Sequence, residues 1–297
     1  MSGEIQLLPF QVRASQQIVN RYLKLVEDPR RPTEHMGWAV PYYQALSALT
    51  GAGKTPILAD AVAQIQITMP IQPIVLWISK AKAVIDQTFA NFEQGGKYNH
   101  LIHTFTVLYL SQLTPGQIRD GTTPFIALAT VGTFNQKDKA DGTLTVHKPG
   151  QDSGKSSLWA TLTAREVTDR RRPLIIVYDE GHNLSDQQTE LLLELEPDVI
   201  LVASATMRTP GMLGRMIQRL KNVGWSDAPQ EDTNEEVLSC LVTAVSSKAV
   251  VEAGLVKKQI EIGGYTSIME TMLDDMLTDM EELSPNFGDG LTDQAAA

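Results

Sequence analysis

Ala48-Leu49-Thr50-Gly51-Ala52-Gly53-Lys54-Thr55 follows an apolar stretch, residues 45–49, and precedes a helical pattern that starts near Lys54. Strand, glycine loop and helix in that order form the setting in which a backbone can wrap phosphate. Gly51 and Gly53 let the loop turn its N–H groups inward, Lys54 can reach the β- and γ-phosphates, and the Thr55 hydroxyl can ligate Mg²⁺. The phosphate grip is therefore assigned to Thr50, Gly51, Ala52, Gly53, Lys54 and Thr55. The general form of such a loop opens with Gly, whereas this one opens with Ala48. A glycine turn that merely caps a helix is the competing reading. A second Gly-Lys-Ser, at Gly154-Lys155-Ser156, has Pro149 in place of the leading Gly and no apolar strand before it, so it is rejected.

Outward from this loop, short apolar runs alternate with longer amphipathic stretches, the pattern of βαβ units and a parallel sheet. Strands are expected at residues 45–49, 74–79, 105–110, 125–130, 174–179, 199–204 and 238–243. Several are Val-, Ile- and Leu-rich on consecutive positions, as expected where helices cover both faces of the sheet. A helix is expected near residues 10–27. The expected fold is α/β. The interval 135–173 breaks the rhythm: it is polar, contains Gly and ends in Arg170-Arg171-Arg172. It reads as an insertion or surface excursion, either a solvated loop or a nucleic-acid contact.

Two further strand ends carry chemistry. Leu174-Ile175-Ile176-Val177-Tyr178-Asp179-Glu180-Gly181-His182 is an apolar strand closed by two carboxylates. A phosphate-binding loop needs an acid on a neighbouring strand to hold Mg²⁺, and Asp179 is placed for that role. Glu180 follows where a carboxylate can accept a proton from the water that attacks the γ-phosphate. Val202-Ala203-Ser204-Ala205-Thr206 ends another apolar strand at the rim where α/β sheets bind ligands.

The three blocks in this order resemble the superfamily 2 helicases and translocases, and within them the DEAD/DEAH-like ATPase domain of type III restriction subunits. The resemblance covers about residues 5–258. It implies a RecA-like domain in which Lys54 and Thr55 bind ATP and Mg²⁺, Asp179 holds the metal and Glu180 is the catalytic base. It also implies that His182, Ser204 and Thr206 couple the nucleotide to strand movement. Gln11, in Leu8-Pro9-Phe10-Gln11, resembles the glutamine that reads adenine; a plain surface Gln is the equal alternative. Val75-Leu76-Trp77-Ile78-Ser79-Lys80 resembles the strand carrying the first nucleic-acid contact, through Ser79 or Lys80. Ala127-Leu128-Ala129-Thr130 resembles the strand ending in a backbone-binding Thr. Such contacts give grip without sequence reading.

The resemblance implies an ATP hydrolase that works with DNA or RNA, DNA being favoured by the likeness to restriction systems. Family members act as two RecA-like domains, the second supplying arginines to the γ-phosphate. Nothing after Thr206 has that Gly-Arg-rich pattern, so a second domain or subunit is an expected partner and turnover by this chain alone is expected to be weak. The alternative is a nucleotide-gated binding module without turnover. A P-loop kinase is the least supported reading, since no acceptor-site signature is visible.

The chain of 297 residues, 42% hydrophobic and 20% charged, has the composition of a globular protein. Its single Cys, Cys240, cannot form an internal disulfide, and no apolar run approaches the ~20 residues that cross a bilayer. These features point to a cytoplasmic protein with no membrane partner. The net charge of −10 is unevenly spread: residues 259–297 hold nine Asp or Glu and no Lys or Arg. A nearly neutral body can still present a basic groove to nucleic acid. Three segments follow: an amino-terminal helical segment at 1–34, an ATP-binding domain at 35–258 and an acidic amphipathic helix with its tail at 259–297. Within the last, Ile268, Met272, Leu273, Met276, Met280 and Leu283 recur at helical spacing. The five histidines form no HExxH or zinc spacing.

Overall fold

The computed structural model describes residues 5–35, 38–137, 144–146, 158–179, 185–205, 211–220 and 241–255. The chain divides into two units, Met1–Val256 and Lys257–Ala297, and every described residue lies in the first. The expected acidic helix, Cys240, Glu180, His182 and Thr206 fall outside the described residues. Among those residues no helix is long and apolar enough to cross a membrane.

Seven parallel strands build one sheet: β1 (Tyr42–Ser47), β2 (Ile74–Ser79), β3 (Thr106–Tyr109), β4 (Phe125–Thr130), β5 (Leu174–Asp179), β6 (Val199–Ser204) and β7 (Val242–Ala244). Their spatial order is β7-β1-β6-β5-β2-β4-β3. Every position of β2, β5 and β6 is buried. A strand open to water on one face would alternate, so continuous burial means that both faces are covered. This is the RecA-like α/β architecture expected from the alternating pattern.

The first strand begins three residues earlier than expected. Gln44 interrupts the apolar run, yet it is only 1% exposed and its Oε1 accepts from the Tyr42 hydroxyl at 2.9 Å. Tyr42 and Tyr43 therefore belong to the strand, while Ala48 and Leu49 pass into the loop. The covering helices include α1 (Pro9–Glu27), α2 (Lys54–Ile67), α3 (Lys82–Phe92), α4 (Pro115–Arg119), α5 (Leu158–Ala164), α6 (Asp186–Glu194), α7 (Gly211–Leu220) and α8 (Ser247–Glu252). Within the core Trp77 meets Phe92 edge to face, with ring centroids 5.0 Å apart, a geometry that adds about 1 kcal/mol to the area it buries.

The end of the 135–173 excursion is corrected by the structure. Residues 158–173 are only partly surface: α5 buries Trp159 and Leu162, and both Arg165 and Arg172 are enclosed, while Ala160, Ala164, Glu166 and residues 168–171 are exposed. Arg172 donates to the carbonyls of Gln72 (2.7 Å), Gln117 (2.6 Å), Ile118 (3.1 Å) and Thr123, and lies over the Phe125 ring. Arg165 donates to the carbonyls of Arg172, Leu162, Leu195 and Glu196. Burial pushes Arg165 down to about 9 and Arg172 to about 10. The planar fork of a guanidinium can meet several fixed carbonyls at once, which an ammonium cannot. These two arginines fasten the turns that lead into β2, β4, β5 and β6. Arg170 and Arg171 alone of the triplet remain exposed, and Arg171 pairs with Glu196.

Candidate functional site

The carboxyl ends of five neighbouring strands form one row. Register places Ser47 beside Ser204, Asp179 beside Ala203, Tyr178 beside Ile78, and Ser79 beside Thr130. Parallel pairing thus brings residues up to 157 positions apart in sequence to one rim of the sheet.

The glycine loop leaves β1 at this rim. Gly51 and Gly53 adopt φ of +84° and +80°, the left-handed region that costs a side-chain-bearing residue roughly 1–2 kcal/mol. A Cβ at Gly53 would also lie 2.2 Å from Gln11 Nε2, so that amide would have to swing away from the loop. The loop is supported from below by a small apolar cluster of Phe10, Ala48, Ala52 and Val250. Ala52 is fully buried, whereas Thr50 and Gly51 are exposed. Helix α2 starts at Lys54 directly after the left-handed turn. Pro56 sits in its first turn, where the missing N–H breaks no intrahelical bond.

Lys54 folds back over the loop, its Nζ donating to the carbonyls of Ala48 at 3.4 Å and Leu49 at 3.3 Å. Both contacts are long for hydrogen bonds, so the ammonium is held loosely at the loop mouth. Thr55 Oγ1 donates to Asp179 Oδ2 at 3.0 Å. Asp179 is only 6% exposed. A hydroxyl and a carboxylate oxygen are the hard donors that Mg²⁺ takes, and it is commonly held by one or two carboxylates plus substrate phosphates rather than by a protein cage. The residues present fit that ion, and among the described residues no cluster of three or more His, Cys, Asp or Glu competes for it.

Gln11 is neither a surface residue nor free. It is 6% exposed, its Oε1 accepts from Leu8 N–H at 2.8 Å and its Nε2 donates to the Ala52 carbonyl at 3.0 Å. One N–H and one lone pair of the amide remain for other partners. Behind it Ser15 donates to Asp60 Oδ2 at 2.5 Å, tying α1 to α2.

The row continues towards β4. Ser79 is fully buried, and its hydroxyl has no partner among the described residues. A side chain enclosed in this way does not reach a passing strand, so of the two residues expected at this strand end the exposed one is Lys80. Ser204 is also buried. Thr130 is partly exposed and its Oγ1 lies 3.2 Å from Thr133 Oγ1. It lines a cavity of about 220 Å³ together with Lys82, Asp86, Tyr109 and Thr133. In that cavity Lys82 pairs with Asp86, which also accepts from the Tyr109 hydroxyl at 3.1 Å. Sequence reasoning passed over Lys82 and Tyr109; the Lys82–Asp86 spacing of four was the available signal.

Residues 4–209 match the family described as "Type III restriction enzyme, res subunit". The chain belongs to this family. It carries the helicase or translocase type of ATPase domain that characterises res subunits. Among solved structures it is similar to a nuclease-deletion mutant of the Type ISP restriction-modification enzyme LlaGI in complex with a DNA substrate mimic, with 9% identity and a TM-score of 0.46. It is also similar to the DUF1998 helicase MrfA, with 14% identity and a TM-score of 0.39. Each likeness covers 96% of this chain, which spans 23% of the first protein and 39% of the second. No curated protein matches the sequence. In this res-family domain the described residues bring Lys54, Thr55 and Asp179 to one place. Glu180, His182 and Thr206 lie outside the described residues.

Proposed function

We propose that this chain is the ATP-binding and hydrolysing domain of a nucleic-acid-dependent helicase or translocase that acts on DNA. The observation that supports it most is the 3.0 Å contact between Thr55 and Asp179, which joins the glycine loop to a strand end 124 residues away. On this reading the N–H groups of Thr50, Gly51 and Gly53 face the phosphates, and that of Ala52 joins them by leaving the Leu49 carbonyl, to which it donates at 3.1 Å. Lys54 leaves its two loop carbonyls for the β- and γ-phosphate oxygens, exchanging weak neutral acceptors for charged ones. Thr55 and Asp179 hold Mg²⁺, which when bound offsets negative charge on those oxygens. Glu180 accepts the proton of the attacking water. Gln11 braces the loop and offers its remaining N–H and lone pair to adenine.

Ser204, Thr206 and His182 transmit nucleotide state along the rim, and Lys80 and Thr130 grip the sugar-phosphate backbone. Arginines for the γ-phosphate come from a second RecA-like domain or subunit. Removing such an arginine costs roughly 10³–10⁵ in rate in related enzymes, so turnover by this chain alone is slow.

Steady-state ATP hydrolysis with duplex DNA, single-stranded DNA, RNA or no nucleic acid tests the reading, with Glu180→Gln as the blank. Slow turnover that DNA raises and Glu180→Gln removes is expected. Tight MgATP binding with no turnover under any condition would instead make the chain a nucleotide-gated binding module. Turnover that survives Glu180→Gln would refute the assigned base.

A further inference from the structure

The exposed side of α1 carries a pattern that the nucleotide site does not use. A cavity of about 570 Å³ opens between α1 and the turn from β7 into α8. Its polar wall is Arg13, Gln16, Gln17, Asn20, Arg21 and Lys24 from α1, with Ser246 opposite. Among the described residues no carboxylate lines it. Ala14 and Ala249 keep the floor shallow. Eleven residues separate Arg13 from Lys24, about three helical turns, so both lie on one face roughly 16 Å apart along the axis.

The cations are held in different ways. Arg21 is anchored, donating to the Val242 carbonyl at 2.7 Å and to Thr243 Oγ1 at 3.1 Å, which ties α1 to β7. Arg13 and Lys24 are exposed and make no ion pair among the described residues. Three amides, Gln16, Gln17 and Asn20, stand between them. Cations with interleaved Gln and Asn are the side chains that contact phosphate and sugar oxygens. One strand of a duplex places a phosphate about every 3.4 Å of rise, so a 16 Å stripe spans about five nucleotides.

The stripe is remote from the strand ends assigned to nucleic acid. Sheet order puts β7 four strand spacings from β2 and five from β4, or roughly 19–24 Å at about 4.8 Å per spacing.

We propose that the α1 face from Arg13 to Lys24 is a second, sequence-independent contact for the phosphodiester backbone of a nucleic acid, distinct from the Lys80 and Thr130 end of the sheet. The proposal rests on the reading of this chain as a nucleic-acid-dependent domain. It gives the domain a grip on both flanks of the sheet, with the nucleotide site between them.

The test is fluorescence anisotropy of a labelled single-stranded DNA 30-mer and the matching duplex, titrated with the full chain over a salt series. The variants are Arg13→Gln/Lys24→Gln, each single change, Lys80→Ala, and a control pair Lys97→Gln/Arg119→Gln that removes the same charge elsewhere. Circular dichroism and a melting scan verify that each variant is folded. The α1 double variant is expected to bind about tenfold more weakly, and its salt slope for single strands to fall by about 1.4, the loss of two phosphate contacts. The control pair should match the wild type.

Unchanged affinity and slope in the α1 variant, with Lys80→Ala weakened, would overturn the proposal while leaving the broader reading intact. An equal loss in the control pair would reduce the effect to net charge and also overturn it. Weakened binding of MgATP or of poly-glutamate by the α1 variant, with DNA affinity unaltered, would assign the groove to another occupant. Absence of any nucleic-acid binding by the wild type would bring down the broader reading and this proposal together.

Discussion

The two ends of the parallel sheet use similar polar side chains for opposite purposes. At the amino-terminal ends Arg165 and Arg172 are enclosed and each donates to four backbone carbonyls. At the carboxyl ends Lys54 makes two contacts of 3.3–3.4 Å, and the buried Ser79 hydroxyl has no partner among the described residues. A cation saturated by fixed carbonyls holds turns in place and has little left to offer a ligand. A cation resting on weak acceptors can leave them for phosphate at small cost. Charge alone therefore does not mark the functional end of this sheet; the degree to which each charge is already satisfied does.

That contrast can be broken from its scaffold end. Arg172→Ala leaves four carbonyls around an apolar gap, and with unsatisfied buried groups costing about 1–3 kcal/mol each before relaxation, a loss of about 4 kcal/mol is expected. Urea unfolding checks it, and Arg172→Lys should recover little of the loss. A change below about 1 kcal/mol would show that water replaces the fork freely.

Lys54→Ala is the matched change at the other end. It should leave unfolding nearly unchanged and weaken MgATP binding about 100-fold, the upper range for hydrogen bonds to charged groups. Comparing the two arginine and lysine variants in both assays sharpens the contrast, since each is expected to register mainly in one. Asp179→Asn should lower ATP affinity about 30-fold with Mg²⁺ present and little in its absence, measured by titration with and without chelator. An equal loss in both conditions would make Asp179 structural. Gln11→Ala is expected to have the smallest effect, about fivefold on ATP and less on GTP, near the net worth of one hydrogen bond. Equal losses for the two nucleotides would assign Gln11 to loop support alone.

The sheet was legible because β2, β4, β5 and β6 are apolar at nearly every position, and their bounds match those read from the pattern. β1 was read late because Gln44 looks like an interruption until its burial and its bond to Tyr42 are seen. The glycine loop announced itself through spacing, but its dependence on Gln11 did not. The 2.2 Å approach to a Cβ at Gly53 arises from packing between α1 and the loop, which no local pattern encodes. The arginine clamp was misread for a related reason. A polar stretch ending in three arginines looks solvated, and only tertiary structure reveals that Arg165 and Arg172 face carbonyls of turns 30–100 residues away. The groove on α1 escaped notice because a third of its lining comes from the β7–α8 region.

Calorimetric titration of MgATP into the wild-type chain and into Lys54→Ala tests the central claim most directly. The account predicts one site per chain, with affinity falling about 100-fold in the variant while its melting temperature stays within a few degrees of the wild type. Equal affinity in the two proteins would contradict the assignment of the glycine loop as the triphosphate site.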